Sequence, residues 1–285
     1  MAIVDLRLLA RSAARRMPDS QAPEAEAFEL IRYVFGKSRS DVLYDSSLEI
    51  PENKQTEFDR LVSKRASGYP LQYIIGEWDF FGHTFYLDEN VLIPRTETEQ
   101  IADEAIEFYE KLDKPDCVII DMCTGSGCIG LSVAAAAENA RVFLCDISDG
   151  ALMCAEKNRK KLKLENAAVC KCDIFNGFEK SGLPRPDIFL CNPPYVPREE
   201  LPLAQPEVGF EPRIAVDGGA GGMDFYGILT TDWLYSLNPG GFFMFESGEG
   251  QPEKILKKID SDVFDAKAEK DICEIERFVS GKRKL

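Results

Sequence analysis

The chain has 285 residues, enough for two unequal domains, and its 45% hydrophobic and 29% charged content is that of a folded globular protein rather than a disordered one. With 34 basic and 49 acidic side chains the net charge is −15, which repels phosphate backbones and speaks against nucleic acid as a direct partner. Nine cysteines, an odd number, point to free thiols in a cytoplasmic compartment; Cys170 and Cys172 have no second pair at zinc spacing, so no metal is expected, and no apolar run is long enough for a membrane span.

Arg7, Arg11 and Arg15 recur among leucines and alanines behind Asp5, which reads as the first helix of a folded domain rather than a targeting presequence. Helical periodicity continues through 1–74, as in Phe58, Leu61 and Val62 with Arg65 beyond, and Gly68 and Pro70 then act as the stop. A small helical domain without strands is expected there. Residues 75–94 are extended and aromatic. Trp78-Asp79-Phe80-Phe81 and Thr84-Phe85-Tyr86-Leu87 flank Gly82-His83, which predicts a β-hairpin linker with His83 in the turn. In the remaining segment, 95–285, apolar runs at 117–121, 141–146, 168–173, 187–192 and 241–247 alternate with helical stretches. That alternation predicts an α/β fold with a doubly wound, mostly parallel sheet. Residues 263–282 alternate without a crossover helix, so a terminal antiparallel pair is expected.

The first of these strands ends at Asp121 and runs into a loop in which Gly125, Gly127 and Gly130 satisfy G-x-G-x-x-G. Taken alone, that loop suits a dinucleotide as well as any other nucleoside ligand. Asp146 closes the second strand, where a carboxylate accepts hydrogen bonds from both hydroxyls of a ribose. A dehydrogenase places an acid there too. Asp173, with Ile174 and Phe175 behind it, suits an adenine amino group and ring; the alternative for each Asp by itself is a solvated strand end or a helix cap.

The fourth strand separates these readings by delivering Asn192-Pro193-Pro194-Tyr195 to the carboxyl edge of the sheet. An amide or exocyclic amino nitrogen is planar, with a delocalised lone pair, and attacks a methyl sulfonium only when held and polarised. The Asn192 carboxamide oxygen and the Pro193 carbonyl can accept its two N–H hydrogens, the prolines fix φ, and Tyr195 can pack on the planar group. His83 is the only histidine, so Ser-His and Cys-His nucleophilic schemes have little support. The chemistry indicated is S-adenosylmethionine-dependent methylation of a planar nitrogen.

Two further segments are more specific: Ser67-Gly68-Tyr69-Pro70-Leu71-Gln72-Tyr73-Ile74-Ile75-Gly76 and Val91-Leu92-Ile93-Pro94-Arg95-Thr96-Glu97-Thr98-Glu99. Phe210-Glu211-Pro212 with Gly218-Gly219, and Glu246-Ser247-Gly248 with Gln251, come later. Together with the tetrapeptide they resemble the protein-(glutamine-N5) methyltransferases of peptide chain release factors, over most of the chain. The departures are Thr96 for a usual proline, Cys123 for a common glycine and Cys191 where serine is frequent.

The resemblance implies a seven-stranded, Rossmann-like methyltransferase sheet, S-adenosyl-L-methionine as cofactor, and a helical N-terminal domain that docks the protein substrate. It also implies the glutamine of a Gly-Gly-Gln loop in peptide chain release factors as methyl acceptor. Carried over by position, Cys123, Thr124, Gly125, Ser126, Gly127, Asp146, Asp173, Ile174 and Asn192 line the cofactor. Asn192, Pro193, Pro194 and Tyr195 hold the glutamine and carry the catalysis. Arg95, Glu97 and Thr98 are either lid contacts or a capped helix start, and Glu211 and Arg213 pin the loop after Tyr195. Two rival readings remain. A nucleic-acid amino-methyltransferase needs a basic surface, whereas Arg198 sits beside Glu199 and Glu200. A catalytically silent cofactor-binding module would not need the intact tetrapeptide.

Overall fold

A computed structural model describes residues 2–44, 47–203 and 205–285. The chain divides into two units, Met1–Glu77 with Gln205–Phe210, and Trp78–Ala204 with Glu211–Leu285.

In the first unit the helices are α1 (Leu6–Arg15), α2 (Pro23–Phe35), α3 (Arg39–Tyr44), α4 (Glu52–Ala66) and α5 (Leu71–Ile75). Asp5 starts α1 by accepting from the Arg7 and Leu8 amides, while Pro23 opens α2 and Gly36, at φ 66°, ends it. Leu6, Leu30, Ile31, Phe58 and Val62 are buried in its interior. The buried Arg65 guanidinium donates to both carboxylate oxygens of Glu26, at 2.8 and 2.9 Å, and to Glu207 at 2.9 Å. An edge-on contact of Tyr69 with Phe210 also ties 205–210 into this unit.

One expectation is corrected here: β1 (Ala2–Asp5) and β2 (Ser47–Ile50) form an antiparallel pair, Ala2 opposite Ile50, where no strand was expected. Four residues are too few for a period of two to stand out from helical punctuation, and the pairing is non-local.

The hairpin consists of β3 (Glu77–Phe80) and β4 (His83–Tyr86). Its two-residue turn is Phe81-Gly82, both at positive φ (48° and 74°), the twist that suits right-handed strands. His83 therefore opens β4 rather than sitting in the turn. The buried Asn158 anchors β4: its Oδ1 accepts from the Tyr86 amide at 2.7 Å, and its Nδ2 donates to the carbonyls of Tyr86 and Ser126.

The main sheet contains β5 (Val118–Met122), β6 (Arg141–Asp146), β7 (Ala167–Lys171), β8 (Ile188–Cys191), β9 (Phe242–Glu246), β10 (Phe264–Lys270) and β11 (Glu276–Arg283). Its order is β10-β11-β9-β8-β5-β6-β7. The five strands from β5 to β9 are parallel, and β11 enters antiparallel between β9 and β10, giving the expected terminal pair. Every position of β5, β8 and β9 is buried, as a strand covered on both faces requires.

Successive residues of these strands feed two cores. Ile119, Leu190 and Met244 pack on the face of helices α6 (Glu99–Lys111) and α7 (Cys128–Ala136), whereas Ile120, Phe189 and Phe245 pack on the opposite face with Trp233. A further helix, α8 (Asp149–Leu162), follows β6. The connections leave β5 in opposite directions, first toward β6 and β7, then back to β8 and β9. A crevice therefore opens at the carboxyl ends of β5 and β8. No helix among the described residues is long and apolar enough to cross a membrane.

Candidate active site

The loop after β5 is shaped by a buried carboxylate. Asp121 Oδ2 accepts from Thr124 Oγ1 at 2.5 Å and from the Gly130 amide at 2.9 Å, which folds the loop back over the strand end. Burial raises the Asp121 pKa to about 7. A Cβ at Gly130 would stand 2.3 Å from Leu144 Cδ2 and 2.9 Å from Asp121, so only glycine lets α7 approach the sheet this closely. Cys123 adopts φ 60°, a left-handed conformation that glycine accepts without cost and cysteine does not.

At the end of β6, Asp146 accepts from the Gly125 amide at 3.0 Å and the Ser148 amide at 2.9 Å, linking the glycine loop to the start of α8. Burial is the main reason its pKa is raised. Asp173 accepts from the Phe175 amide at 3.0 Å and so caps the short turn Ile174–Asn176, the simpler of its two sequence readings, while it also faces the cleft. Trp233 fixes that turn by donating from Nε1 to the Ile174 carbonyl at 2.9 Å.

These elements surround a cleft enclosing about 1020 Å³ of space, open solvent at its mouth included. Cys123, Thr124, Gly125, Ser126, Asp146, Asp173, Ile174, Asn192 and Pro194 line it, as do Arg95 and Thr98. Gly127, Pro193, Tyr195 and Glu97 are not among the lining residues. Gly127 instead supports the turn from behind, where an added Cβ would meet Leu131 and Ala155.

Asn192 lies where β8 ends. Its Nδ2 donates to Thr98 Oγ1 at 3.4 Å, and its Oδ1 is buried without a partner among the described residues. Thr98 Oγ1 in turn donates to Glu246 Oε2 at 2.6 Å, and the Tyr195 hydroxyl donates to Glu246 Oε1 at 3.0 Å. Burial raises the Glu246 pKa against the pull of these two hydroxyls and of Arg277. Burial also pushes the Tyr195 phenol up, so it stays protonated at neutral pH. Neither Arg95 nor Thr98 caps a helix with its side chain. Arg95 instead donates to both oxygens of Glu211, at 2.8 and 2.9 Å.

The tetrapeptide is braced from the far side. Gln251 Nε2 donates to the Tyr195 carbonyl at 2.9 Å, and a Cβ at Gly222 would come within 2.1 Å of that same oxygen. Arg213, with Arg198, pairs with Asp217 rather than reaching the cleft.

Sequence reasoning missed the part played by Glu246, which stood out only through its Glu-Ser-Gly motif. It also missed the walls contributed by Asn90, Val91, Ile214 and Phe225. Their contribution depends on long-range packing.

The donor set separates the nucleoside ligands left open by the glycine loop. Arg95 is the only cation lining the cleft among the described residues, and Glu211 holds it. The Gly125 amide is engaged by Asp146, so little remains to neutralise a pyrophosphate. Two acids, Asp146 and Asp173, suit ribose hydroxyls, an amino group or a cationic sulfonium. Ser126 and Asn192 line the cleft, and Ser126 Oγ and Asn192 Oδ1 are buried without partners among the described residues, a costly state that a bound ligand would relieve. The residues present therefore fit S-adenosylmethionine better than a dinucleotide.

Residues 9–76 match the family model of the PrmC N-terminal domain, and residues 101–205 match that of the methyltransferase small domain. A release factor glutamine methyltransferase of Clostridium acetobutylicum is 32% identical over 258 residues, 88% of each chain. One from Geobacter sulfurreducens is 38% identical over 226 residues, covering 78% of this chain and 76% of that protein. A third, from Bordetella pertussis, is 31% identical over 269 residues, 93% of this chain and 97% of its own. Similarity of this extent, spanning the helical N-terminal segment as well as the sheet, means that the chain belongs to the family of release factor glutamine methyltransferases.

Proposed function

We propose that this protein transfers a methyl group from S-adenosylmethionine to the side-chain amide nitrogen of the glutamine in the Gly-Gly-Gln loop of peptide chain release factors. The observation that carries the reading is Asn192, which lines a cleft at the carboxyl edge of the sheet and whose side-chain oxygen is buried without a partner among the described residues. A neutral acceptor in that position matches an N–H donor, which a glutamine amide has and a carboxylate lacks.

Asp146 and Asp173 would hold the nucleoside, with Ile174 against its base and Cys123 to Ser126 beneath it. When bound, S-adenosylmethionine supplies an electrophilic methyl group. Asn192 Oδ1 would accept one hydrogen of the substrate amide, which orients the nitrogen and favours the positive charge that develops on it. The two prolines that follow hold the backbone beside Asn192 without competing donors. Once methylated, the nitrogen is acidic and loses a proton to water or to the Asn192 oxygen, so no strong base is needed. Tyr195 contributes by holding Glu246 through its hydroxyl. Arg95 and Glu211 would fasten the segment that carries Arg95 to the cleft wall.

Residues 1–74 would give the substrate protein a second contact region, because a short flexible loop alone loses much of its contact energy to ordering. The nine cysteines are unpaired thiols, and we place the protein in the cytoplasm. Mass spectrometry of an intact, unmethylated release factor after incubation with protein and cofactor tests the reading. One methyl group on the Gly-Gly-Gln glutamine is expected, a short peptide is a poorer substrate, and replacing that glutamine by glutamate abolishes transfer. Label on a nucleic acid, or label that persists after the glutamine is replaced, overturns it.

A further inference from the structure

The two ends of the Asn192 carboxamide are nearly equal in size, but only the oxygen accepts a hydrogen bond. A flipped amide would present its NH2 to the substrate nitrogen and repel it. The orientation is therefore a catalytic requirement, and packing alone does not impose it. What does distinguish the ends is a directed chain of hydrogen bonds behind Asn192.

Thr98 has one hydroxyl hydrogen, and it goes to Glu246 Oε2 at 2.6 Å. The Thr98 oxygen thus faces Asn192 as an acceptor, 3.4 Å from Nδ2. Tyr195 likewise spends its only hydroxyl hydrogen on Glu246 Oε1 at 3.0 Å. Both carboxylate oxygens are taken by donors, so the chain runs one way, from the Asn192 NH2 through Thr98 to Glu246. Thr98 and Glu246 are 2% and 1% exposed, which keeps water from offering an alternative partner. The end of β9 is itself fixed: the Glu246 carbonyl accepts from the Tyr226 hydroxyl at 2.6 Å, and Glu246 stands opposite Phe278 of β11.

We propose that Glu246 is a positioning residue for methyl transfer: acting through the Thr98 hydroxyl, it holds the Asn192 carboxamide with its oxygen toward the acceptor nitrogen. The proposal rests on the reading of Asn192 given above. Glu246→Gln keeps the shape but introduces an NH2 that one of the two hydroxyls must face, and Thr98→Val removes the middle of the chain at nearly constant volume.

The test compares Glu246→Gln, Thr98→Val, Thr98→Ser, the Glu246→Gln/Thr98→Val double variant and Asn192→Ala. Steady-state methylation of an intact release factor is measured beside calorimetric cofactor binding and thermal melting. Glu246→Gln and Thr98→Val are each expected to lower kcat by about 10- to 100-fold, the scale of a misplaced reacting group. Cofactor Kd and the release factor's KM should stay within about three-fold, because the lost orientation matters most in the transition state. Thr98→Ser should recover most of the rate lost in Thr98→Val. The double variant should be no slower than about three-fold below the worse single one, as parts of one relay act as a unit.

Independent, multiplying losses, or a Thr98→Ser variant as slow as Thr98→Val, overturn the relay. A Thr98→Val variant with normal kcat beside an inactive Asn192→Ala overturns the relay alone. A wild type that methylates no release factor, or an Asn192→Ala variant with normal kcat, overturns the functional reading and the relay with it. Should Glu246→Gln fail to fold, the Thr98 pair decides the matter unaided.

Discussion

Asp146→Ala separates a ligand-holding carboxylate from a mere clamp on the glycine loop. The Asp146 oxygens accept from the Gly125 and Ser148 amides, so the substitution is expected to loosen the loop whatever the ligand. Leaving those two donors to water costs about 1–3 kcal/mol, a melting decrease of a few degrees in a chain of this length. The binding effect is separate. If the same carboxylate accepts from two ribose hydroxyls, each hydrogen bond to a charged group contributes about 1.5–3 kcal/mol. Losing both weakens S-adenosylmethionine binding by about a hundred- to ten-thousand-fold. Isothermal calorimetry well below the melting temperature, with melting recorded on the same samples, measures the two effects independently. A lower melting temperature with unchanged affinity would reduce Asp146 to the clamp. NAD binding by the wild type in place of S-adenosylmethionine would revive the dehydrogenase reading.

Three more outcomes follow from the site. Asn192→Ala should lower kcat by about a hundredfold or more while cofactor affinity falls less, as stopped-time methylation and calorimetry would record; near-normal turnover in a folded variant would assign the nitrogen's orientation to another group. Because the Asp121 pKa is raised to about 7, the folded state holds its proton where the unfolded chain has lost it, so this group's contribution to stability falls as pH rises from about 4 to about 7. Urea unfolding should therefore show the wild type losing about 4 kcal/mol relative to Asp121→Asn over that window, and a difference independent of pH would contradict this. Cys123→Gly relieves a left-handed backbone strain of about 1–2 kcal/mol at the cost of greater unfolded-state freedom, so it should be neutral or stabilise by up to about 1 kcal/mol in denaturant titration. Clear destabilisation would show that the thiol packs for a purpose.

The parts of this protein readable from sequence are those whose physical cause is local. β5, β8 and β9 stand out as short apolar runs because a parallel strand covered on both faces needs apolar residues at every position. Asn192 to Tyr195 is legible because its chemistry is contiguous and lies directly beyond such a strand.

Where a feature depends on partners distant in sequence, that legibility ends. β1 and β2 are four residues each and acquire a reason only when Ala2 meets Ile50. The hairpin turn differs from the expected one by a single residue, since either Phe81-Gly82 or Gly82-His83 offers a glycine and the register of β3 on β4 decides between them. Facing is also tertiary: Gly127 and Pro193 belong to the right segments yet do not line the cleft. The Thr98–Glu246 hydrogen bond joins residues 148 positions apart. The sequence by itself determined the alternation of strands and helices in 95–285, the glycine loop and the tetrapeptide, because backbone propensity and hydrophobic period act over a few neighbouring residues. Only the tertiary structure decided which oxygen of the site is left free, because a hydrogen bond depends on which atoms meet across the fold and in which direction each donates.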